Sequence, residues 1–261
     1  MSLSAIKKKR EYEELLTKYV EDLKNSCDKN RLADLATYRN FPVSILEVCD
    51  IFYIADMVDM MLPQYLENLN TLGVISKTNN KPIFNNRYII PIKTSTGMVQ
   101  NLVGYSPNYT ERYIYGTAEY YRRGDTLWGL ENIKLAYELG YAILTEGITD
   151  SIRLRAMGYK NSFAMCGTQE SDFNMVMLNR CRYGVIKIPD RDKAGKRAVK
   201  NWKCNRSLML NVSVQYKDAD EMCRHTENVA IFKEYMEACI DWIKKETHNG
   251  RYFEIMEVTI V

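Results

Sequence analysis

Apolar residues recur at helical spacing from position 4 to about 27, at Ile6, Tyr12, Leu15, Leu16, Tyr19, Val20 and Leu23. They predict one amphipathic helix whose stripe packs on the body of the protein. A second helix is expected over 30–39. In FPVSILEVCDIFYIAD, Pro42 is placed to start a helix. Residues 56–72, rich in Met and Leu, read as mostly helical, with Pro63 beginning or breaking a helix and Gly73 stopping it. From Phe84 to Tyr105 the pattern changes to short apolar runs with a turn at Ser95-Thr96-Gly97, which predicts a β-hairpin or small sheet. A short helix over 130–139 ends at Gly140. Strands and helices then alternate: a strand closing at Glu146-Gly147, a helix over 151–157, a strand over 162–165 and a helix over 171–181. A strand over 185–188, a helix over 194–204, the apolar run LMLNVSVQY and an amphipathic helix over 228–245 follow. RYFEIMEVTIV at the end reads equally as an extra strand or as a tail that docks a partner.

Strands alternating with helices of about ten residues imply a parallel sheet with right-handed crossovers. The expected class is α/β, a mostly parallel sheet flanked by helices and preceded by a helical to mixed α+β N-terminal subdomain. The expected parts are 1–84 (helical), 85–138 (mixed, basic and aromatic), 139–222 (the parallel sheet) and 223–261 (helix and tail).

The chemistry collects where apolar runs end. One run ends in Glu146-Gly147, with Asp150 following. A later run ends in Asp190-Arg191-Asp192, with Lys193-Ala194-Gly195 opening the next helix. Asp190 and Asp192, at i and i+2, point the same way if that segment is extended. Asp218 and Asp220 follow the next apolar run in the same manner. In open α/β sheets, active residues gather outside the carboxyl ends of the strands. Carboxylates so clustered repel one another unless cations neutralise them, and hard cations such as Mg²⁺ prefer carboxylate oxygen. Two metals roughly 4 Å apart would activate a hydroxyl and stabilise a transferring phosphoryl group. Taken singly, D-x-D after a strand is more often a solvated turn, and Thr149 or Asp150 could simply cap a helix.

Composition narrows the picture. The chain's 261 residues, 46% hydrophobic and 26% charged, suit a soluble globular protein of one large or two small domains. A net charge of +3 and a pI near 8.3 fall short of a strongly basic DNA-binding footprint. Seven scattered cysteines without a C-x-x-C pair argue against a disulfide framework and a zinc site, and favour a reducing cytoplasmic setting. No run approaches the roughly 20 apolar residues of a membrane span. Lys7-Lys8-Lys9-Arg10 reads as a solvated helix start, because no apolar targeting region follows it. His225 and His248 stand in no nucleophile–base arrangement. No G-x-x-x-x-G-K-S/T phosphate loop occurs, so a helicase motor would be a separate protein. Between Tyr105 and Trp128, rings and cations interleave: Tyr109, Arg112, Tyr113, Tyr115, Tyr120, Tyr121, Arg122 and Arg123. Composition leaves open single-stranded nucleic-acid contact and a packed, tyrosine-rich loop.

EGITD together with DRDKAG resembles the Toprim domain shared by DnaG-type primases, type IA and II topoisomerases, OLD-type nucleases and RecR-type repair proteins. The flanking segments resemble DnaG in particular. NNRYIIPIKTSTGMVQNLVGY is similar to its Arg-strand-Pro-Ile hairpin, RYIYGTAEYYRRGDTLWGL to its "KYLNSPET…FHKG..LYGL" stretch, and KDADE to its "DPDE". The resemblance, over roughly residues 30 to 247, is to a primase core of phage-like type.

It implies RNA primer synthesis from ribonucleoside triphosphates on single-stranded DNA. Glu146, Asp190, Asp192, Asp218 and Asp220 would hold two or more Mg²⁺ or Mn²⁺ ions, with Asp150 behind them orienting the Glu146 turn. Arg87 and Arg123, less securely Arg112, would meet template or nucleotide phosphate, as would Lys193. A replicative helicase on another chain is the implied partner, in the cytoplasm, or the host cytoplasm if phage-encoded. Template choice would lie elsewhere, since the family's zinc-binding domain has no counterpart in these residues. A Toprim nuclease using the same carboxylates, or an inert single-stranded-DNA-binding protein, are the alternatives.

Overall fold

Helix α1 (Leu3–Ser26) starts at Ser2, whose side chain accepts from the Ala5 N–H. It buries Tyr12, Leu16, Tyr19, Val20 and Leu23. Ile6 is 47% exposed, so the buried stripe begins a turn and a half later than its apolar spacing predicts. The computed structural model describes residues 2–27, 30–117, 119–121, 124, 126–166, 172–192, 195, 204–248 and 256–261. The chain divides into two units, Met1–Tyr121 and Arg122–Val261.

In the first unit, α2 (Arg31–Arg39) ends at Asn40 in the left-handed region, and α3 (Val43–Val48) follows Pro42 as its N-cap. The next segment is strand β1 (Phe52–Ile54), where aromatic and β-branched residues suit a pleated, half-buried surface. The stretch expected to be mostly helical is broken into 3-10 turns, Met57–Met60 and Pro63–Asn68, before α4 (Leu69–Leu72) stops at Gly73 with φ 71°. Pro63 is the cause: it lacks an N–H and keeps Leu62 extended at ψ 124°. The expected hairpin is β2 (Arg87–Lys93) and β3 (Val99–Tyr105), turning through Gly97 at φ 87°. With β4 (Tyr113–Tyr115) they form an antiparallel sheet in the order β1-β2-β3-β4, so the boundary expected at 84/85 falls inside one sheet. Helix α1 is tied to this sheet: the Tyr12 hydroxyl donates to the Gln100 carbonyl at 3.1 Å, and the Val99 N–H donates to Thr17 Oγ1 at 2.8 Å.

The second unit carries β5 (Leu127–Trp128), α5 (Ile133–Leu139), β6 (Tyr141–Thr145), α6 (Ile148–Ala156), β7 (Ser162–Met165) and α7 (Asp172–Leu178). After these come β8 (Gly184–Ile188), β9 (Ser207–Asn211), α8 (Ala219–Cys223), α9 (Thr226–His248) and β10 (Met256–Thr259). The sheet order is β10-β9-β8-β6-β7-β5, parallel except for the β5–β7 pair. The C-terminal run is therefore an added edge strand.

Alternation builds two cores from one sheet. Tyr141, Ile143, Ile186, Ile188, Leu208 and Leu210 face one layer, where α9 contributes Phe232, Met236, Ile240 and Ile243. Ala142, Leu144, Val185 and Met209 face the other, with Ile133, Met175 and Leu178. At about 1.5–3 kcal/mol per large buried side chain, these layers hold the strand ends in place. The helix expected over 194–204 lies, apart from Gly195 and Cys204, outside the described residues. No described helix is long and apolar enough to cross a membrane.

Candidate active site

The chain runs from β6 outward to β7, then returns to pair β8 on the other side of β6. At such a reversal ligands usually bind outside the carboxyl ends of the flanking strands, here β6 and β8. Thr145 and Ile188 are in register, so Glu146 and Asp190 leave the sheet side by side.

Asp150, Asp190 and Asp218 each offer a carboxylate oxygen lying within 4.8 Å of the other two. Asp150 stands in the first turn of α6 and is only 4% exposed. Its carboxylate accepts from the Asp220 N–H at 2.8 Å, and it lies so close to Gly147 that a Cβ there would come 2.5 Å from Asp150 Oδ2. It is not the helix cap: Gly147 holds that place without a side-chain bond. Asp218 caps α8, its Oδ1 accepting from the Glu221 N–H at 2.7 Å. Glu221 reaches back to accept from the Lys217 N–H at 2.6 Å, a variant of the capping box.

Glu146 borders this group. Its Oε2 is buried with no hydrogen-bond partner among the described residues. Burial first, then the charges of Asp190 and Asp192, push its carboxyl up to about 7. Burial also raises Asp150 well above the carboxylate range, with Asp218, Asp190 and Asp220 adding to the effect. Asp190 and Asp218 are raised mainly by burial as well. So many carboxylates in one low-dielectric pocket cannot all ionise without compensating positive charge. Lys217 supplies some of it, with Nζ 3.0 Å from Asp190 Oδ2 and 3.7 Å from Asp192 Oδ2. Burial opposes the lysine's charge, but the hydrogen bond and charge of Asp190 raise its pKa. An all-oxygen donor set with an orphaned buried carboxylate oxygen fits a hard divalent cation.

Asp220 is differently engaged. It is fully buried, with Oδ1 accepting from Arg153 Nε at 3.1 Å and Nη2 at 3.0 Å, and Oδ2 accepting from Arg224 Nε at 3.1 Å and Nη2 at 2.6 Å. Both oxygens face guanidinium groups, while its backbone N–H holds Asp150. Asp192 is 43% exposed, and its Oδ1 accepts from the Gly195 N–H at 2.8 Å. Lys193 lies outside the described residues.

In the first unit, Arg87 is buried at 4% exposure under the Tyr109 ring, 4.8 Å from its centroid. Its Nη1 donates to the carbonyls of Glu111 at 3.0 Å and Arg112 at 3.1 Å. Arg112 itself is exposed, and Arg123 lies outside the described residues. Lys217, Arg153 and Arg224 are the residues that sequence reasoning passed over. Two signals were there: Arg224 stands at i+4 from Asp220, a helical pairing distance, and Lys217 directly precedes Asp218.

The mostly parallel sheet carries carboxylates at the ends of its inner strands, and residues 143–223 match the Toprim-like family. The chain as a whole resembles one member group of it. It is 27% identical over 266 residues to the DNA primase of Thermotoga maritima, covering 96% of this chain and 44% of that protein. The chain thus spans less than half the length of this curated relative. Among solved structures, a DnaG primase catalytic domain bound to single-stranded DNA superposes with a TM-score of 0.72 at 19% identity, over 88% of this chain and 79% of that one. The Aquifex aeolicus primase, comprising zinc-binding and RNA polymerase domains, gives a TM-score of 0.73 at 22% identity, over 89% and 61%. Residues 143–223 are thus Toprim-like, and the chain has the fold of the DnaG-type primase catalytic core.

Proposed function

We propose that this chain is the catalytic core of a DNA primase, joining ribonucleoside triphosphates into short RNA primers on single-stranded DNA. The observation that carries the reading is the trio Asp150, Asp190 and Asp218, with oxygens within 4.8 Å of one another at the ends of adjacent strands of a primase-like fold. Glu146, Asp150, Asp190, Asp192 and Asp218 would hold two divalent cations, Mg²⁺ or Mn²⁺. Bound there, such ions supply Lewis-acid activation of the primer 3′-hydroxyl and neutralise the triphosphate. In the reaction the 3′-oxygen bonds to the α-phosphorus, the bond to the bridging oxygen breaks and pyrophosphate leaves.

The protein's part is placement and charge. Gly147 lets the Glu146 turn pack against Asp150. Asp220, held between Arg153 and Arg224, fixes Asp150 through its N–H and acts as a positioning residue. Lys217 is set to move from Asp190 to the triphosphate. Exposed Arg112 offers a cation to the template strand, while Arg87 supports the turn that carries it. Arg123 and Lys193 are assigned to phosphate on the resemblance alone. A replicative helicase on another chain is the expected protein partner.

The test is de novo synthesis with mixed-sequence single-stranded DNA, labelled ribonucleotides and Mg²⁺ or Mn²⁺, beside Asp190→Ala. Short RNA reduced by about 10²-fold or more in the variant is expected. A variant within about tenfold of wild type would remove Asp190 from the site. Metal-dependent template cleavage in place of RNA would favour the nuclease reading.

A further inference from the structure

The first unit contains an open cavity of about 420 Å³ that the acidic site does not use. It lies between α2, β1, the start of β2 and the loop after β3, and four tyrosines wall it: Tyr38, Tyr53, Tyr88 and Tyr109. Its size falls within the usual range for small-ligand pockets. The rings are partly wet. Tyr38 is 50% exposed and Tyr109 is 41% exposed, so flat apolar surface is offered to solvent. Tyr53 and Tyr88 pack together at 4.9 Å between centroids and form a firmer wall behind.

Two polar groups give the cavity direction. The Tyr53 hydroxyl donates to Asn86 Oδ1 at 3.0 Å, which fixes the amide and leaves its Nδ2 to donate elsewhere. A carboxamide held this way can address the hydrogen-bonding edge of a base. Arg31 lies over the Tyr53 ring at 5.5 Å, and only one of its nitrogens is engaged by Asp34, at 3.2 Å. Among the described residues no other acceptor is bonded to its remaining N–H groups, which can meet phosphate.

A flat aromatic partner, an amide for its edge and a cation for an attached phosphate together describe a nucleotide unit. We propose that this cavity binds a nucleobase, stacked on the tyrosines with its phosphate at Arg31, taken from single-stranded DNA. Stacking of unpaired bases on aromatic side chains is tolerant of sequence, as a template grip requires. The inference rests on the reading of the chain as a template-directed polymerase.

The experiment measures binding in EDTA, so that the carboxylate site contributes nothing through metal. A labelled single-stranded DNA oligonucleotide is followed by fluorescence anisotropy, and AMP by saturation-transfer NMR. The proteins are wild type, Tyr38→Ala, Tyr109→Ala and the matching Phe variants. The Ala variants are expected to weaken oligonucleotide binding on the order of tenfold, while the Phe variants keep it. An oligonucleotide with abasic positions should bind wild type as weakly as the intact strand binds Tyr38→Ala. Loss of strand binding, with or without loss of AMP binding, assigns the cavity to strand bases. Loss of AMP binding alone assigns it to free nucleotides and overturns the strand as source. Ala variants that bind both probes like wild type, or a wild type that binds neither, overturn the inference. RNA synthesis by wild type, measured in parallel, separates this failure from that of the primase reading: primers made normally by a protein with an idle cavity leave that reading intact.

Discussion

Lys217 Nζ lies 3.0 Å from Asp190 Oδ2, so a lysine side chain occupies part of the positive charge that the acidic crevice demands. The contact is reinforced from the backbone, where the Arg191 N–H donates to the Lys217 carbonyl at 2.7 Å and ties the loop after β8 to the one after β9. The lysine side chain is 54% exposed, which limits what the pair contributes to about 1 kcal/mol. Lys217→Met should therefore lower the melting temperature of the metal-free protein by about 2–4 °C. Mg²⁺ should restore more stability to the variant than it adds to wild type, because the carboxylates then lack their internal cation. Thermal melts in EDTA and in Mg²⁺ check this, and equal metal responses would show that Lys217 and metal do not share the site.

Asp220 should behave unlike its neighbour Asp218. With side chains only 5% and 1% exposed, Arg153 and Asp220 form a buried pair, and removing one charge strands the other. Asp220→Asn is expected to cost about 3 kcal/mol, read as a fall of roughly 6–12 °C in melting temperature. Asp218→Asn keeps an oxygen to cap α8 and should leave the melting temperature nearly unchanged in EDTA while weakening Mn²⁺ binding measured by calorimetry. If both variants melt alike, the Arg153–Asp220–Arg224 cluster does not have the structural role its burial implies.

How much of this was legible before folding depends on the range of the forces involved. The alternating strands and helices of the second unit announce themselves locally, through apolar runs of strand length and the helix stop at Gly140. The carboxylates at the ends of β6, β8 and β9 were visible for the same reason. Strands Phe52–Ile54 and Tyr113–Tyr115 were not, because three residues carry little pattern and pair with β2 and β3 from a distance. The placing of Asp150 inside the acidic trio, and of Asp220 between two arginines, is set by tertiary partners: Arg153 and Asp220 are 67 residues apart. Arg87 is a similar case. Its guanidinium turns inward to backbone carbonyls of Glu111 and Arg112, acceptors that no side-chain motif displays.

The raised carboxyl of Glu146 sets a pH dependence with a definite sign. Its pKa moves from an ordinary 4.5 to about 7 on folding, chiefly through burial. Between these values the native state binds more protons than the unfolded chain, so stability falls as pH rises through that window and levels off above it. Asp150, Asp190 and Asp218 shift in the same direction and reinforce the trend. In EDTA the melting temperature should drop by a few degrees from pH 5 to pH 8. Glu146→Gln should flatten part of that drop and melt higher than wild type at pH 8. A divalent cation should reverse the trend, since it compensates the charges that rising pH creates. Melting curves across the range, with and without Mn²⁺, decide the matter, and a wild type that grows more stable from pH 5 to 8 in EDTA would contradict the burial of these groups.

Gly195 provides a way to move the site without touching its charges. A Cβ at this position would collide with the Asp190 carbonyl oxygen and come 2.9 Å from the Asp190 Cβ. The Gly195 N–H that donates to Asp192 Oδ1 at 2.8 Å would be retained by alanine. Gly195→Ala therefore removes no carboxylate and acts by forcing the Gly195 backbone and the Asp190–Asp192 turn apart. Displacements of about 1 Å can cost about 10²-fold in rate where catalysis depends on alignment. Primer synthesis by Gly195→Ala should fall by about that factor, with Gly195→Ser, which adds the same Cβ, no more active. Synthesis near the wild-type rate would mean that the turn after β8 can shift without consequence, and that Asp190 and Asp192 do not hold the reacting groups.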